Sequence, residues 1–234
     1  MTTYLFDLLR GYKTIATVGT CKNAGKTTVL NYLIEGYHNK KILGITSIGY
    51  DGEAKDAVTQ LPKPRIYVYP RMLVATSRSC LGTTTSVYDE VLATGIGTSI
   101  GEVIIVKVIK KGMMDIAGPS MASQIRDVTD KMIELGCTKV LVDGAAGRLS
   151  YGCYTDGTIL SVGAAYSQDL QKVVRHGHHV CRLMNLVKYD GPTFKHYESS
   201  NIYQINSCSD HYDIRFRGTV VDEDVIEISK LYAD

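Results

Sequence analysis

The chain has no C-x-x-C pair, no apolar run approaching membrane-spanning length and no marked excess of either charge. Each absence excludes something. Six cysteines (Cys21, Cys80, Cys137, Cys153, Cys181, Cys208) are scattered along the chain, so neither a zinc knuckle nor a dithiol redox site is indicated. Reduced, mostly buried thiols of a cytosolic protein are the expectation. The start, Met1-Thr-Thr-Tyr-Leu-Phe-Asp7, lacks a basic region followed by a long apolar stretch. A soluble, cytoplasmic protein with no membrane segment is therefore expected. A formal net charge of +2 gives no electrostatic argument for nucleic acid or an acidic membrane. The 16 tyrosines are not interleaved with lysine or arginine as a nucleic-acid stacking platform would be. No internal repeat or low-complexity tract appears. With 234 residues, 44% hydrophobic and 21% charged, the composition fits one well-buried α/β domain over residues 1–234.

What is present is a phosphate-cradling loop. Between the apolar strand candidate Thr14 to Val18 and a helix-like run from Thr27 sits Gly19-Thr-Cys-Lys-Asn-Ala-Gly25-Lys26-Thr27-Thr28. Glycines let backbone N–H groups curl round an anion, and the helix N-terminus adds partial positive charge. Gly19, Lys22, Asn23, Ala24, Gly25, Lys26, Thr27 and Thr28 are the candidate ligand-binding residues. Lys26 would reach the β and γ phosphates and the Thr27 hydroxyl would hold Mg²⁺, so ATP with Mg²⁺ is the expected cofactor. Five residues separate Gly19 from Gly25, where the usual loop has about four.

The rest of the chain reads as strands alternating with helices, which predicts a mainly parallel sheet flanked by helices. A short helix over residues 2–12, a helix over Thr27 to Tyr37 and a strand over Lys41 to Ser47 surround the loop. Residues 49–112 form a looser, β-containing insertion. Within it, Arg65 to Tyr69 and Met72 to Thr76 look like strands and Thr84 to Ala93 like a helix. Glu102 to Ile109 with Met113 to Ala117 look like a hairpin turned by Lys110-Lys111-Gly112. Ser120 is a plausible cap for a helix over Met121 to Leu135 that buries Ile125, Val128, Met132 and Leu135. Lys139 to Val142 and Thr158 to Val162 are buried strands, and Gln168 to Asn185 is a long helix. A polar C-terminal extension, residues 192–234, carries strand-like runs at Asn201 to Ile205 and Ile214 to Val220, then a helix opening at Asp222.

The second half of a triphosphate site is an acidic residue ending a buried strand. Val140-Leu141-Val142-Asp143 supplies it, with an ordinary Asp-Gly turn as the alternative. Lys26 and Asp143 are the candidate catalytic residues, joined by Asp51 of Ser47-Ile48-Gly49-Tyr50-Asp51-Gly52-Glu53. Thr27, Asp143 and Asp51 are the candidate metal ligands. Asp51 or Glu53 could share the ion or orient a water, and a solvated Asp-Gly turn is the equal alternative. Arg148 could stabilise phosphoryl charge, although a surface arginine is the simpler reading. An Asn-Lys-x-Asp run for guanine is missing, since Asn185-Leu-Val-Lys188-Tyr-Asp190 has the wrong spacing. His176-Gly-His178-His179-Val-Cys181 reads as a polar helix face, a metal site being the lesser alternative.

The loop resembles that of dethiobiotin synthetase and its relatives, which often carry a second lysine five places before the loop lysine. Here that slot is Cys21, with Lys22 one place later. Val18 to Thr28, Thr46 to Glu53, Pro64-Arg-Ile-Tyr-Val68, Ala117-Gly-Pro-Ser120 and Leu141-Val-Asp-Gly144 together resemble the smaller reactivase subunit that accompanies lysine 5,6-aminomutase in lysine-fermenting bacteria. The likeness runs over about residues 10–185. It implies an ATP-driven, chaperone-like factor that works with a partner ATPase subunit to restore an adenosylcobalamin-dependent aminomutase. Nucleic acid and membrane partners are not implied, and a homo-oligomer stays open. Two other readings remain: a dethiobiotin synthetase-like enzyme phosphorylating a small acceptor near Asp51 and Ser120, and a nucleotide sensor that hydrolyses nothing.

Overall fold

The computed structural model describes residues 2–49, 66–144, 154–185, 202–207 and 212–216. Asp51, Glu53, Arg148, Lys188, Asp190 and the expected helix at Asp222 lie outside the described residues. Two compact units divide the chain, Met1–Gly177 and His178–Asp234.

The first part runs α1 Thr2–Leu8, β1 Thr14–Gly19, α2 Lys26–Tyr37, β2 Leu43–Ser47, β3 Ile66–Val68 and β4 Leu73–Ser77. A 3-10 turn at Arg78–Thr83 follows, then β5 Val87–Thr98, β6 Gly101–Lys110, β7 Gly112–Met114, α3 Ala122–Glu134, β8 Lys139–Asp143 and β9 Gly157–Ser161. Helix α4 spans Leu170–Met184, and β10 Ile202–Ser207 pairs antiparallel with β11 Tyr212–Phe216. The strands expected at Asn201 and Ile214 correspond to this ribbon.

The main sheet has seven strands in the order β5-β6-β4-β2-β8-β1-β9. From β4 to β9 all neighbours are parallel, and only β6 runs against the rest, antiparallel to both β4 and β5. The chain thus has the expected α/β fold, a mainly parallel sheet flanked by helices. The looser region contributes β4, β5 and β6 to this sheet, while β3 and β7 form a separate antiparallel pair.

Strands β1, β2 and β4 are buried along their whole length, as parallel strands covered on both faces must be. Successive residues then face opposite cores. On β8, Leu141 joins Ile15 and the α2 residues Leu30, Leu33 and Ile34. Its neighbour Val140 joins Leu73, Ala75 and the α3 residues Val128 and Met132 on the other face. Each such side chain contributes about 1.5–3 kcal/mol by leaving water.

Helix α1 is anchored by a buried lysine. Lys139 Nζ donates to the Leu9 and Tyr12 carbonyls at 2.7 and 2.6 Å and lies 5.0 Å from the Tyr37 ring centroid. Burial, followed by the charge of Lys41, pulls its pKa below the usual lysine value, against the opposing carboxylate of Asp156.

Four local expectations are corrected. The run Thr84 to Ala93 is not a helix: β5 occupies Val87–Thr98. Val87 and Val91 carry helical spacing, but both are exposed, and pairing with β6 satisfies the backbone instead. The hairpin is also different, because β6 turns back on β5 and β7 pairs with β3. Ser120 does not cap α3. Met121 holds the N-cap position in extended conformation, with no side-chain cap hydrogen bond. Leu135 is 41% exposed, since it stands at the C-cap beyond the last packed turn.

The segment before α3 is pressed onto the end of β2. The Gly49 amide donates to the Pro119 carbonyl at 2.9 Å, and a Cβ on Gly118 would collide with the Ser47 carbonyl oxygen, a backbone atom that cannot yield. Gly118→Ala should therefore destabilise the fold by about 2–3 kcal/mol. Gly97→Ala, with nothing within 4 Å of its new Cβ, should shift stability by less than about 1 kcal/mol. Denaturant midpoints of both variants check this, and equal midpoints would refute the close contact.

Candidate functional site

The sheet carries its ligand-facing edge where parallel strands end and connections diverge. β1 lies between β8 and β9, so the loop leaving Gly19 opens between the ends of those two strands. Two of its residues are left-handed, Asn23 at φ 61° and Gly25 at φ 93°. Gly25 is the N-cap of α2 and has no side-chain partner. A side chain at that φ would be strained, which is why glycine stands there. The first-turn amides of Lys26, Thr27 and Thr28 have no acceptor within the helix, and left-handed residues of this kind curl a backbone into a concavity suited to an anion.

Register brings the acidic residue to this loop. β1 and β8 pair in parallel with Thr17 opposite Asp143. The Asp143 carbonyl accepts from the Ile48 amide at 2.9 Å, and the Gly144 amide donates to the Thr17 carbonyl at 2.9 Å. A Cβ on Gly144 would stand 2.8 Å from both Thr17 O and Val18 Cγ1, so the chain can leave β8 this close to β1 only at glycine. Lys26 Nζ then lies 3.4 Å from Asp143 Oδ1, with side chains 18% and 16% exposed, and it donates a hydrogen bond to the Gly144 carbonyl. An ion pair this well shielded is screened less than one at the surface.

The structure thus joins Gly19, Gly25, Lys26 and Asp143 in one place. Ala24 is buried under the loop, Gly25, Lys26 and Thr27 are half-buried, and Lys22, Asn23 and Thr28 are exposed. Among the described residues no three His, Cys, Asp or Glu side chains cluster as a self-sufficient metal site. A Mg²⁺ ion keeps waters and is usually bound through one or two carboxylates plus substrate phosphates. Asp143 and the Thr27 hydroxyl are the oxygen donors the sequence pattern offers it. Within the histidine cluster, His176 is committed elsewhere: its ring stacks on Tyr166 at 4.0 Å between centroids.

Sequence reasoning did not single out two hydroxyls, Thr20 within the loop and Ser161 beside it. Thr20 Oγ1 and Ser161 Oγ are buried and have no hydrogen-bond partner. The Ser161 strand was recognisable, and a serine at the carboxyl end of a buried parallel strand was the available signal.

No family model matches the chain, and no curated protein or solved structure matches it.

Asp143→Asn should leave triphosphate affinity largely intact but remove its magnesium dependence, since the loop amides and Lys26 remain while the carboxylate that positions the ion is lost. Affinities measured with and without Mg²⁺ decide this. Full magnesium dependence in the variant would make Asp143 a turn residue only.

Proposed function

We propose that the chain binds Mg-ATP at Gly19 to Thr28 with Asp143 and acts as a reactivating, chaperone-like factor for an adenosylcobalamin-dependent aminomutase. The observation that carries the binding half is the Lys26 ammonium held 3.4 Å from Asp143 at the start of a helix opened by a left-handed Gly25. Lys26 supplies a charge-assisted donor to the terminal phosphates. The α2 amides receive phosphate oxygens, and Asp143 with Thr27 would hold the ion, which neutralises phosphate charge when bound.

The reactivating role rests on the sequence likeness and on one feature of the fold. Two of the runs that carry the likeness are Thr46 to Glu53, of which residues 46–49 are described, and Ala117 to Ser120; their described parts meet at the end of β2 through the Gly49 to Pro119 hydrogen bond of 2.9 Å. That contact lies next to Asp143, whose carbonyl accepts from Ile48 at 2.9 Å. A change in phosphate contacts at Asp143 has a short backbone route to this segment, as nucleotide-coupled movement requires.

The test uses the purified chain with its partner ATPase, a cobalamin aminomutase run to inactivity, Mg-ATP and fresh adenosylcobalamin. Turnover should recover with the parent protein and fail with Lys26→Ala, whose calorimetric affinity for Mg-ATP should fall at least about tenfold. Equal ATP affinity of variant and parent would sink the binding assignment. Binding without recovery above an ATP-free control would favour the small-acceptor enzyme.

A further inference from the structure

The start of the loop and the carboxyl end of β9 each hold a hydroxyl not yet given a role, Thr20 and Ser161. β1 and β9 run parallel with Gly19 opposite Ser161, and the Thr20 amide donates to the Ser161 carbonyl at 3.1 Å. The hydroxyl oxygens of these two residues are both cut off from solvent, and neither has a hydrogen-bond partner. Ser161 as a whole is only 7% exposed. Buried hydroxyls are nearly always paired, because a desolvated donor left unmet costs free energy. Their neighbours along the same sheet edge obey this rule. Thr17, Thr46, Ser47 and Thr76 each donate to a backbone carbonyl. Tyr37 Oη is also unmet, but within the apolar core; the exceptions at Thr20 and Ser161 adjoin each other at the mouth of the loop, where a ligand can supply the missing partner.

Position decides which part of the ligand that is. Lys26 and Asp143 pair at 3.4 Å on the β8 side of β1 and mark the terminal phosphate and metal. β9 flanks β1 on the other side. A triphosphate laid along the loop with its terminal group at Lys26 directs its opposite end toward β9. The chain beyond Ser161 stays against the loop, since a Cβ on Gly163 would stand 3.5 Å from the Ala24 carbonyl oxygen, and so it walls that end of the loop.

We infer that the Thr20 and Ser161 hydroxyls form a subsite for the α-phosphate and sugar of a nucleotide, making the loop selective for a nucleotide over a bare polyphosphate. Each hydroxyl can donate to a phosphate oxygen or accept from a ribose hydroxyl. The inference rests on the triphosphate reading of the loop and deepens it.

Calorimetric titration of the full chain with Mg-ATP and with Mg-pyrophosphate, which lacks both α-phosphate and sugar, tests the subsite. Ser161→Ala and Thr20→Val should each weaken Mg-ATP about three- to tenfold and leave pyrophosphate affinity unchanged. Thr20→Ser, which keeps the hydroxyl, should bind Mg-ATP like the parent. Because the Ser161 hydroxyl is unpaired without ligand, Ser161→Ala should melt no lower than the parent, which separates a binding defect from a folding defect. Unchanged Mg-ATP affinity in both hydroxyl-deleted variants, in a parent that binds Mg-ATP, overturns the subsite alone. Equal losses for both ligands overturn it too. A parent that binds neither ligand refutes the triphosphate reading itself.

Discussion

The parallel pairing of β1 with β8 is the constraint on which the rest of the site depends. Its register sets Thr17 opposite Asp143, so the strand feeding the loop and the strand delivering the carboxylate end side by side. A slip of two residues would carry Asp143 about 6.6 Å along the sheet and break its contact with Lys26. A slip of one would turn Val140 and Leu141 out of their respective cores. Backbone bonds from Val140 to Lys13 at 2.8 Å and from Gly144 to Thr17 at 2.9 Å close the ladder at both ends. The Gly144 contact tolerates no side chain. Core packing and the geometry of the polar edge thus enforce the same register.

That register also explains how the charges are kept. Lys26 points back to Asp143 and the Gly144 carbonyl, so neither charge is left uncompensated in a partly dehydrated cleft. On the proposed reading, an incoming triphosphate with its metal exchanges one pairing for two: phosphate oxygens take the ammonium and the ion takes the carboxylate. The anion-binding helix end adds its own field at no cost in reorganisation.

Much of this was legible in the chain. Fully buried parallel strands leave largely apolar runs, as in Thr14 to Val18 and Lys139 to Val142, and the Gly-Lys-Thr-Thr run opening the helix after the first of them is the signal that suggests a phosphate loop. The α/β class followed from the alternation. Failures gathered where tertiary pairing overrides local pattern. β5 carries exposed Val87 and Val91 at helical spacing, yet ladder bonds to β6 decide its state. Met113 lies too near Lys110 for its strand to be assigned to anything but the adjacent one, yet β7 pairs with the distant β3. Ser120 looked like a cap because cap preference is local, whereas the contact of Gly118 with Ser47 fixes where α3 begins. Thr20 and Ser161 were invisible for another reason: an unmet hydroxyl is a property of burial, which no spacing records.

The central claim is that Gly19 to Thr28 is a phosphate cradle closed by Asp143. Amide chemical shifts of the labelled chain, followed through a titration with Mg-ATP, test it most directly. The account predicts that the largest changes fall on Gly19 to Thr28 and on Asp143 and Gly144, saturating together at one affinity, with the α3 amides little affected. A saturable response confined to residues away from this edge, or none at millimolar Mg-ATP with the chain folded, would contradict it.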